Sequence, residues 1–293
     1  FSKIGLVPDC GGSWLLPRLL TRQRALALAM LGDKLPAQQA ADWGLVWQVT
    51  DDAELAAAAL ALAEFRDPSS IPALIKGLFM TGRGALQRGI SVLLVDGPGQ
   101  GGALRRHGLV TRHDYEVPIG KCIDWLEQRN DVDTSRIAVS GSSLGGYYAA
   151  RAASMEHRLA ACISHGAIWD IHERWKTRDD NHGLAGHIKW VFGAKTMAEA
   201  TEIAKPFKLE GVLEHMRCPY LIIHGGHDVL GVEAVTKVYN YATQHKVNAT
   251  LRLTTEEETG AEHCQHDNPT LGQELMLDWL ADVFRIEIGR AHV

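Results

Sequence analysis

Residues 141–145 read GSSLG and place Ser143 in the pattern G-x-S-x-G. The apolar run RIAVSGS precedes the pattern, and a stretch of small residues typical of a helix start follows it. A serine on such a strand-to-helix turn has its hydroxyl lifted above the sheet, while small neighbours let the backbones pass closely. The helix N-terminus then faces any negative charge that develops beside the serine. This context predicts that Ser143 is a nucleophile, and the alternative is an idle serine on a surface turn.

A serine hydroxyl is a weak nucleophile that needs a base, and the base needs an acid that orients it. After a turn of this kind the partners follow in the order serine, acid, histidine. Asp228 follows the apolar run PYLIIHG, and His263 lies in the loop TGAEHCQHDNP after the run ATLRLTT. We predict that Asp228 is the acid, with a helix cap as the alternative. We predict that His263 is the base, with His266 and His245 as alternatives.

A sheet with flanking helices is needed to position these residues. The runs ISVLLVD (Ile90–Asp96), RIAVSGS, ACISHG and PYLIIHG are typical of short buried strands. The run EVPIGKCIDWLEQR is typical of an amphipathic helix. Strands that alternate with helices predict βαβ units and a doubly wound parallel sheet.

A second motif, GPGQGG at residues 97–102, satisfies G-x-G-x-x-G directly after ISVLLVD. A dinucleotide site also needs an acidic residue about twenty positions on, at the end of the next strand. Glu116 has about that spacing but opens a helix, and Pro98 removes a backbone N–H that a phosphate would use. We therefore predict a tight turn at the rim of the active site and no bound cofactor.

Composition excludes several classes of function. The net charge of -5 gives no basic field that would attract nucleic acid, and the five cysteines lack CxxC spacing, which argues against disulfides and structural zinc. No apolar run approaches the ~20 residues that cross a bilayer, and the N-terminus lacks a signal-peptide layout. We expect a cytoplasmic enzyme with a small-molecule substrate, no metal, and no nucleic-acid or membrane partner. Its oligomeric state stays open.

The segment between ACISHG and PYLIIHG is long and aromatic. It contains Trp169, Trp175, Trp190 and Phe192. We predict a lid over an apolar or aromatic substrate, and the alternative is simple core packing.

The motifs DGPGQGGALRRHGL, SSLGGYYAARAA and GAEHCQHDN together resemble a group of α/β-hydrolases. The group includes 2,6-dihydropseudooxynicotine hydrolase and fungal hydrolases that shorten polyketide chains, and the similarity runs from about Met80 to Trp279. Its members cleave carbon–carbon bonds beside a ketone, or esters, with a Ser-Asp-His triad. The resemblance places that triad on Ser143, Asp228 and His263.

One departure from this group concerns the oxyanion hole. The group has a strand and an N-G-x-D loop upstream of its first matched helix, and the loop supplies one oxyanion N–H. The sequence IPALIKGLFMTGRGAL stands at that place here. The N–H of Leu144 is then the predicted donor, and losing the second donor typically costs ~10²–10³ in rate.

The opening FSKIGLVPDCGGSWLLPRLL starts in mid-motif, and the alanine-rich runs TRQRALALAML, LPAQQAADWGLVWQV and DDAELAAAALALAEF predict helices after it. The opening and LGDKLPAQQAADWGLVWQV resemble the crotonase superfamily, specifically the enoyl-CoA isomerases of phenylacetate degradation. This resemblance places the acid/base aspartate of those isomerases on Asp9. The earlier half of a crotonase is not found, so we predict that Asp9 is a relic without a role.

The last residues read EIGRAHV, which resembles a translated sequencing-adapter read. We therefore predict a crotonase-like fragment over 1–65, a junction over 66–79 that holds a chimeric join, an α/β-hydrolase domain over 80–284, and a non-native tail over 285–293. The predicted fold class is α/β, with a doubly wound, mostly parallel hydrolase sheet that lacks its first strands and a mainly helical fragment before it.

Three functions fit these observations. The first is a serine hydrolase that forms an acyl-enzyme and cleaves a C–C bond beside a ketone, or acts as an esterase. The second is an enoyl-CoA isomerase or hydratase, which only the first quarter of the chain supports. The third is an inactive chimera of two incomplete folds.

Overall fold

The computed structural model describes residues 16, 20–31, 35–45 and 82–286. The chain divides into two compact units, Phe1–Phe79 and Met80–Val293. Asp9, the helix predicted over 51–65, the junction at 66–79 and residues 287–293 lie outside the described residues. Within the described part, no helix is both long and apolar enough to cross a membrane.

The first unit contains two of the helices that the alanine-rich runs predict. Helix α1 spans Arg22–Leu31 and helix α2 spans Ala37–Asp42. Helix α2 begins directly after Pro36, whose fixed φ suits a helix start. The Arg24 guanidinium lies 4.7 Å from the centroid of the Trp43 ring. The helical prediction is therefore confirmed for these two runs.

The second unit contains a parallel sheet of four strands in the order β1-β2-β3-β4. Its strands are β1 (Ala138–Ser142), β2 (Ala161–His165), β3 (Tyr220–Gly225) and β4 (Ala249–Thr254). Every residue of β2 and β3 is buried, as expected for the central strands of a parallel sheet. Strand β1 lies at the edge of the described sheet and is partly exposed.

The helices of this unit follow one another around the sheet. In chain order they are α3 (Arg83–Gln87), α4 (Gly101–His107), α5 (Glu116–Leu126), α6 (Leu144–Met155), α7 (Ile171–Trp175), α8 (Ala185–Phe192), α9 (Met197–Ile203), α10 (Val232–Gln244) and α11 (Pro269–Phe284).

Alternate strand residues point to opposite faces of the sheet, so helices pack on both sides. On one face Cys162, Tyr220 and Ile222 share a core with residues of α6 and α10. On the other face Ile163 and Leu221 pack with residues of α11. The predicted α/β architecture, with helices on both faces of a parallel sheet, is confirmed.

The prediction of a buried strand at Ile90–Asp96 is wrong. These residues belong to no strand of the described sheet, and Val92, Leu93 and Val95 are 39%, 44% and 42% exposed. A continuous apolar run indicates a strand that suits burial on both faces. It does not show whether a neighbouring strand is present to pair with.

Candidate active site

Ser143 occupies a sharp turn between β1 and α6. Its backbone has φ 58° and ψ -119°, in a region that residues with a side chain rarely adopt. Its N–H donates to the carbonyl of His165 at 2.8 Å, and its carbonyl accepts the N–H of Gly146 at 2.8 Å. These bonds hold the serine at the end of β1, where the sequence predicts it.

Glycines on both sides of the turn permit close backbone contacts. A Cβ atom on Gly141 would lie 2.0 Å from the carbonyl oxygen of Gly145. A Cβ atom on Gly146 would lie 2.3 Å from the carbonyl oxygen of Gly166, in the loop after β2. Neither position tolerates a side chain without movement of the backbone. Packing therefore explains the glycines at positions 141 and 146.

Gly146→Ala is expected to lower the free energy of unfolding by roughly 1–3 kcal/mol, the usual cost of forcing an extra carbon into a packed site. The matched control is Gly145→Ala in the same helix, because no atom lies within 4 Å of a Cβ placed there. Urea denaturation of both variants measures the difference. Equal stability of the two variants would contradict the packing argument.

Ser143, His263 and Asp228 come together at the carboxyl end of the sheet. The Nε2 atom of His263 lies 3.0 Å from the Oγ atom of Ser143. The Nδ1 atom of the same imidazole lies 2.8 Å from Oδ1 and 2.9 Å from Oδ2 of Asp228. The Asp228 side chain is fully buried, and that of His263 is 25% exposed. A hydroxyl, an imidazole and a carboxylate bonded in this order can activate the hydroxyl as a nucleophile.

The carboxylate and the imidazole change each other's pKa. The hydrogen bond that His263 donates to Asp228, followed by its hydrogen bond with Cys264, raises the pKa of His263 above its usual value, although burial opposes this. Burial raises the pKa of Asp228, but its hydrogen bonds with His263 and with the N–H of Leu230 outweigh burial and lower the pKa. The pair therefore favours a charged carboxylate that stabilises a charged imidazolium.

The two histidines that are alternatives to His263, and the nearby carboxylate of Asp267, have other surroundings. The His245 ring stacks on Tyr241, with ring centroids 4.4 Å apart. The exposed ring of His266 lies 6.0 Å from the His263 ring. Asp267 accepts the backbone N–H groups of residues 260, 261 and 262 at 2.7, 3.0 and 3.1 Å, so this carboxylate holds the loop that carries His263.

A buried network that the sequence did not indicate also holds this loop. Cys264 and Gln265 follow His263 with φ values of 52° and 47°, which places two consecutive side-chain-bearing residues in the left-handed region. The Gln265 amide contacts the imidazole of His165 and donates to Thr254 at 3.1 Å. Burial lowers the pKa of His165 to about 4, so that ring is neutral. The network explains how a strained loop keeps one conformation.

Arg174 connects the segment between β2 and β3 to the loop that carries Asp228. Its guanidinium donates to the carbonyls of Leu230 and Val229 at 3.2 and 3.0 Å. The sequence analysis did not single out Arg174, because an arginine in a short helix carries no motif of its own.

The N–H of Leu144 is available at the position predicted for an oxyanion donor. Leu144 is the first residue of α6, and the first N–H groups of a helix have no acceptor within the helix. In turns of this kind the N–H of the residue directly after the serine can serve as an oxyanion donor, and Leu144 holds that place in the sequence.

The glycine-rich segment at residues 97–102 forms a closed turn. The Asp96 carboxylate accepts the N–H of Gly102 at 2.8 Å, and a Cβ atom on Gly97 would lie 2.3 Å from the Tyr115 hydroxyl. Glu116 pairs with Arg151 of α6 through two hydrogen bonds of 2.9 and 2.7 Å. The N–H of Gly102 and the carboxylate of Glu116 thus have partners within the protein.

Most aromatic residues of the segment between β2 and β3 belong to its core. Trp169, Trp175 and Phe192 are buried, and the Trp175 and Phe192 rings meet edge to face at 4.7 Å. Trp190 is 47% exposed. Core packing therefore accounts for Trp169, Trp175 and Phe192. It does not account for Trp190, whose side chain is exposed.

A parallel sheet with helices on both faces and a serine on a strained turn after β1 define an α/β-hydrolase. The chain belongs to the prolyl oligopeptidase family, whose family model matches residues 83–287. A second family model, that of enoyl-CoA hydratase/isomerase, matches residues 1–81. Both resemblances predicted from the sequence are confirmed.

Relatives of the larger unit are hydrolases. The 2,6-dihydropseudooxynicotine hydrolase of Paenarthrobacter nicotinovorans is 31% identical over 199 residues, which cover 68% of this chain and 51% of that protein. The crystal structure of the 2,6-dihydroxy-pseudo-oxynicotine hydrolase superposes with a TM-score of 0.60 at 29% identity, over 75% of this chain and 59% of that chain. The chain thus spans about half the length of the curated relative.

The first unit has a relative of a different kind. The 1,2-epoxyphenylacetyl-CoA isomerase of Escherichia coli (strain K12) is 60% identical over 63 residues, which cover 22% of this chain and 24% of that protein. The match therefore represents about a quarter of an isomerase.

Proposed function

We propose that the chain is a serine hydrolase in which Ser143 is the nucleophile, His263 the general base and Asp228 the orienting acid. The observation that carries the proposal is the unbroken hydrogen-bonded series from the Ser143 Oγ atom through the imidazole to the buried carboxylate. The position of Ser143 on a strained turn at a helix N-terminus supports it.

In the first half-reaction, His263 accepts the proton of Ser143 through Nε2 while the Oγ atom attacks the substrate carbonyl. The carbonyl oxygen becomes negatively charged, and the N–H of Leu144 donates to it. Asp228 stabilises the imidazolium that forms. The tetrahedral intermediate then collapses and its C–O or C–C bond breaks, and the imidazolium protonates the leaving group, which is the alkoxide of an ester or the enolate carbon of a β-diketone.

In the second half-reaction, water attacks the acyl-enzyme, and His263 again accepts a proton. The tetrahedral intermediate collapses, Ser143 regains its proton from the imidazolium, and a carboxylic acid leaves. We propose a small apolar or aromatic substrate. The name of the relative 2,6-dihydropseudooxynicotine hydrolase supports this class.

An activity probe tests this function against the alternatives. A fluorophosphonate is expected to label the purified chain, with the label mapped to Ser143 by peptide mass spectrometry. Isomerisation of an enoyl-CoA without labelling would instead support the function that the first unit suggests. The absence of both labelling and isomerisation would support an inactive chimera. Product analysis with a matched aryl ester and β-diketone then distinguishes ester cleavage from C–C cleavage.

The pH dependence of hydrolysis follows from the raised pKa of His263. Only the neutral imidazole can accept the Ser143 proton, so activity falls as the pH drops through this pKa. Because Asp228 raises the pKa of His263, the acid limb of kcat/KM is expected above about 6.5, the ordinary histidine value. A pH–rate profile on an aryl ester measures the limb. A limb at or below that value would contradict the assignment.

A further inference from the structure

His224 is a buried imidazole that the proposed reaction does not use. It is the fifth residue of β3, and its side chain is 0% exposed. Neither ring nitrogen meets hydrogen-bond geometry with a partner among the described residues, although the ring also lies near the backbone of Gly231. Burying a polar group without a partner costs free energy, and an apolar side chain would avoid that cost. A polar side chain at such a position in a native core calls for an explanation.

The group that His224 faces is the carboxylate of Asp228. The Nδ1 atom of His224 lies 3.6 Å from Oδ2, just beyond hydrogen-bonding distance. On the other side of the carboxylate, Oδ1 accepts the N–H of Leu230 at 2.7 Å, and both oxygens share the Nδ1 atom of His263. Among the described residues, Oδ2 therefore accepts a hydrogen bond from His263 and can accept a second one.

His224 is suited to donate to this oxygen as a neutral ring. Burial lowers the pKa of His224, and the charges of His263 and Arg174 lower it further, while the charge of Asp228 and the backbone of Gly231 oppose this. A neutral imidazole carries one N–H, and the hydrogen-bond acceptors around the ring determine which nitrogen holds it. Protonation at Nδ1 places that N–H toward Oδ2.

We infer that His224 is a positioning residue that holds the Asp228 carboxylate by donating from Nδ1 to Oδ2 when the active site is engaged. The inference rests on the proposed function, because it assigns a role through Asp228. A small shift of either side chain brings Nδ1 of His224 and Oδ2 of Asp228, which are 3.6 Å apart, within hydrogen-bonding distance. With Leu230 on Oδ1 and His224 on Oδ2, the carboxylate cannot rotate away from His263.

Two substitutions separate this role from packing. His224→Asn keeps a donor at the same distance from the backbone, since the Asn Nδ2 atom and the His Nδ1 atom are both two bonds beyond Cβ. His224→Leu fills a similar volume without a donor. For both variants, kcat is calculated from the concentration of active serine found by titration. A variant that folds less well is then not mistaken for one that turns over more slowly.

We expect His224→Leu to lower kcat by roughly 10- to 100-fold with little change in KM, as for a lost hydrogen bond to a charged group. The acid limb should also move to lower pH, because a carboxylate that rotates stabilises the imidazolium less. His224→Asn should stay within about threefold of the parent in kcat and keep its acid limb. An unmoved limb in His224→Leu, or equal damage in the two variants, would overturn the inference.

Proton NMR separates failure of this inference from failure of the proposed function. The downfield resonance of the proton between His263 and Asp228, assigned by its loss in Asp228→Asn, should shift in His224→Leu and remain in place in His224→Asn. This readout does not depend on turnover. If the parent chain hydrolyses nothing, the proposed function fails on that result alone. If the resonance is identical in the parent and His224→Leu, the positioning role is overturned.

Discussion

Ser143→Ala is expected to abolish hydrolysis of short-chain aryl esters, with a fall in kcat of at least about 10³-fold. The substitution removes the only atom that attacks the carbonyl in the proposed reaction and leaves the turn intact. Alanine faces the same backbone strain as serine at φ 58°, so the melting temperature should change little. Ester hydrolysis and fluorophosphonate labelling both measure the effect.

The adjacent serine provides a matched control for this variant. Ser142 is exposed, and its hydroxyl lies 3.4 Å from the Nδ1 atom of His165. Ser142→Ala should therefore retain turnover within a few-fold of the parent. Residual activity of Ser143→Ala above about a tenth of the parent would rule out Ser143 as the nucleophile, since removal of a triad serine costs several orders of magnitude.

Asp228→Asn is expected to lower kcat by roughly 10³–10⁴-fold. The asparagine oxygen can still accept the N–H of Leu230, but its amide presents a donor to His263. The imidazole then adopts the wrong tautomer and loses the charge that stabilises its protonated form. The acid limb of the pH–rate profile should move to lower pH, the direction opposite to the shift that Asp228 causes in the parent.

Asp267→Asn is the control for this change. Asp267 lies in the same loop region and accepts three backbone N–H groups, so its substitution should lower the melting temperature rather than turnover per titrated serine. If Asp228→Asn were harmless and Asp267→Asn were severe, the acid would be Asp267. Measuring both variants on one substrate decides between the two carboxylates.

The order and type of the main elements could be predicted from the sequence because they depend on local patterns. The runs RIAVSGS, ACISHG, PYLIIHG and ATLRLTT all form strands, and a helix follows Ser143 as the small residues indicate. The segment Ile90–Asp96 has the same pattern but pairs with no strand of the described sheet. Hydrogen bonding to a neighbour is a non-local property, and hydropathy does not report it.

By itself, the sequence determined the position of the strained turn, because glycines at 141 and 146 and an intervening serine leave few other conformations. It also placed Asp228 after the strand β3 and His263 after the strand β4. Only the tertiary structure decided which histidine reaches Ser143, since that depends on the left-handed residues Cys264 and Gln265 and on the buried network beneath them. It alone also brought His224 beside Asp228, because burial and interatomic distance arise from packing between distant parts of the chain.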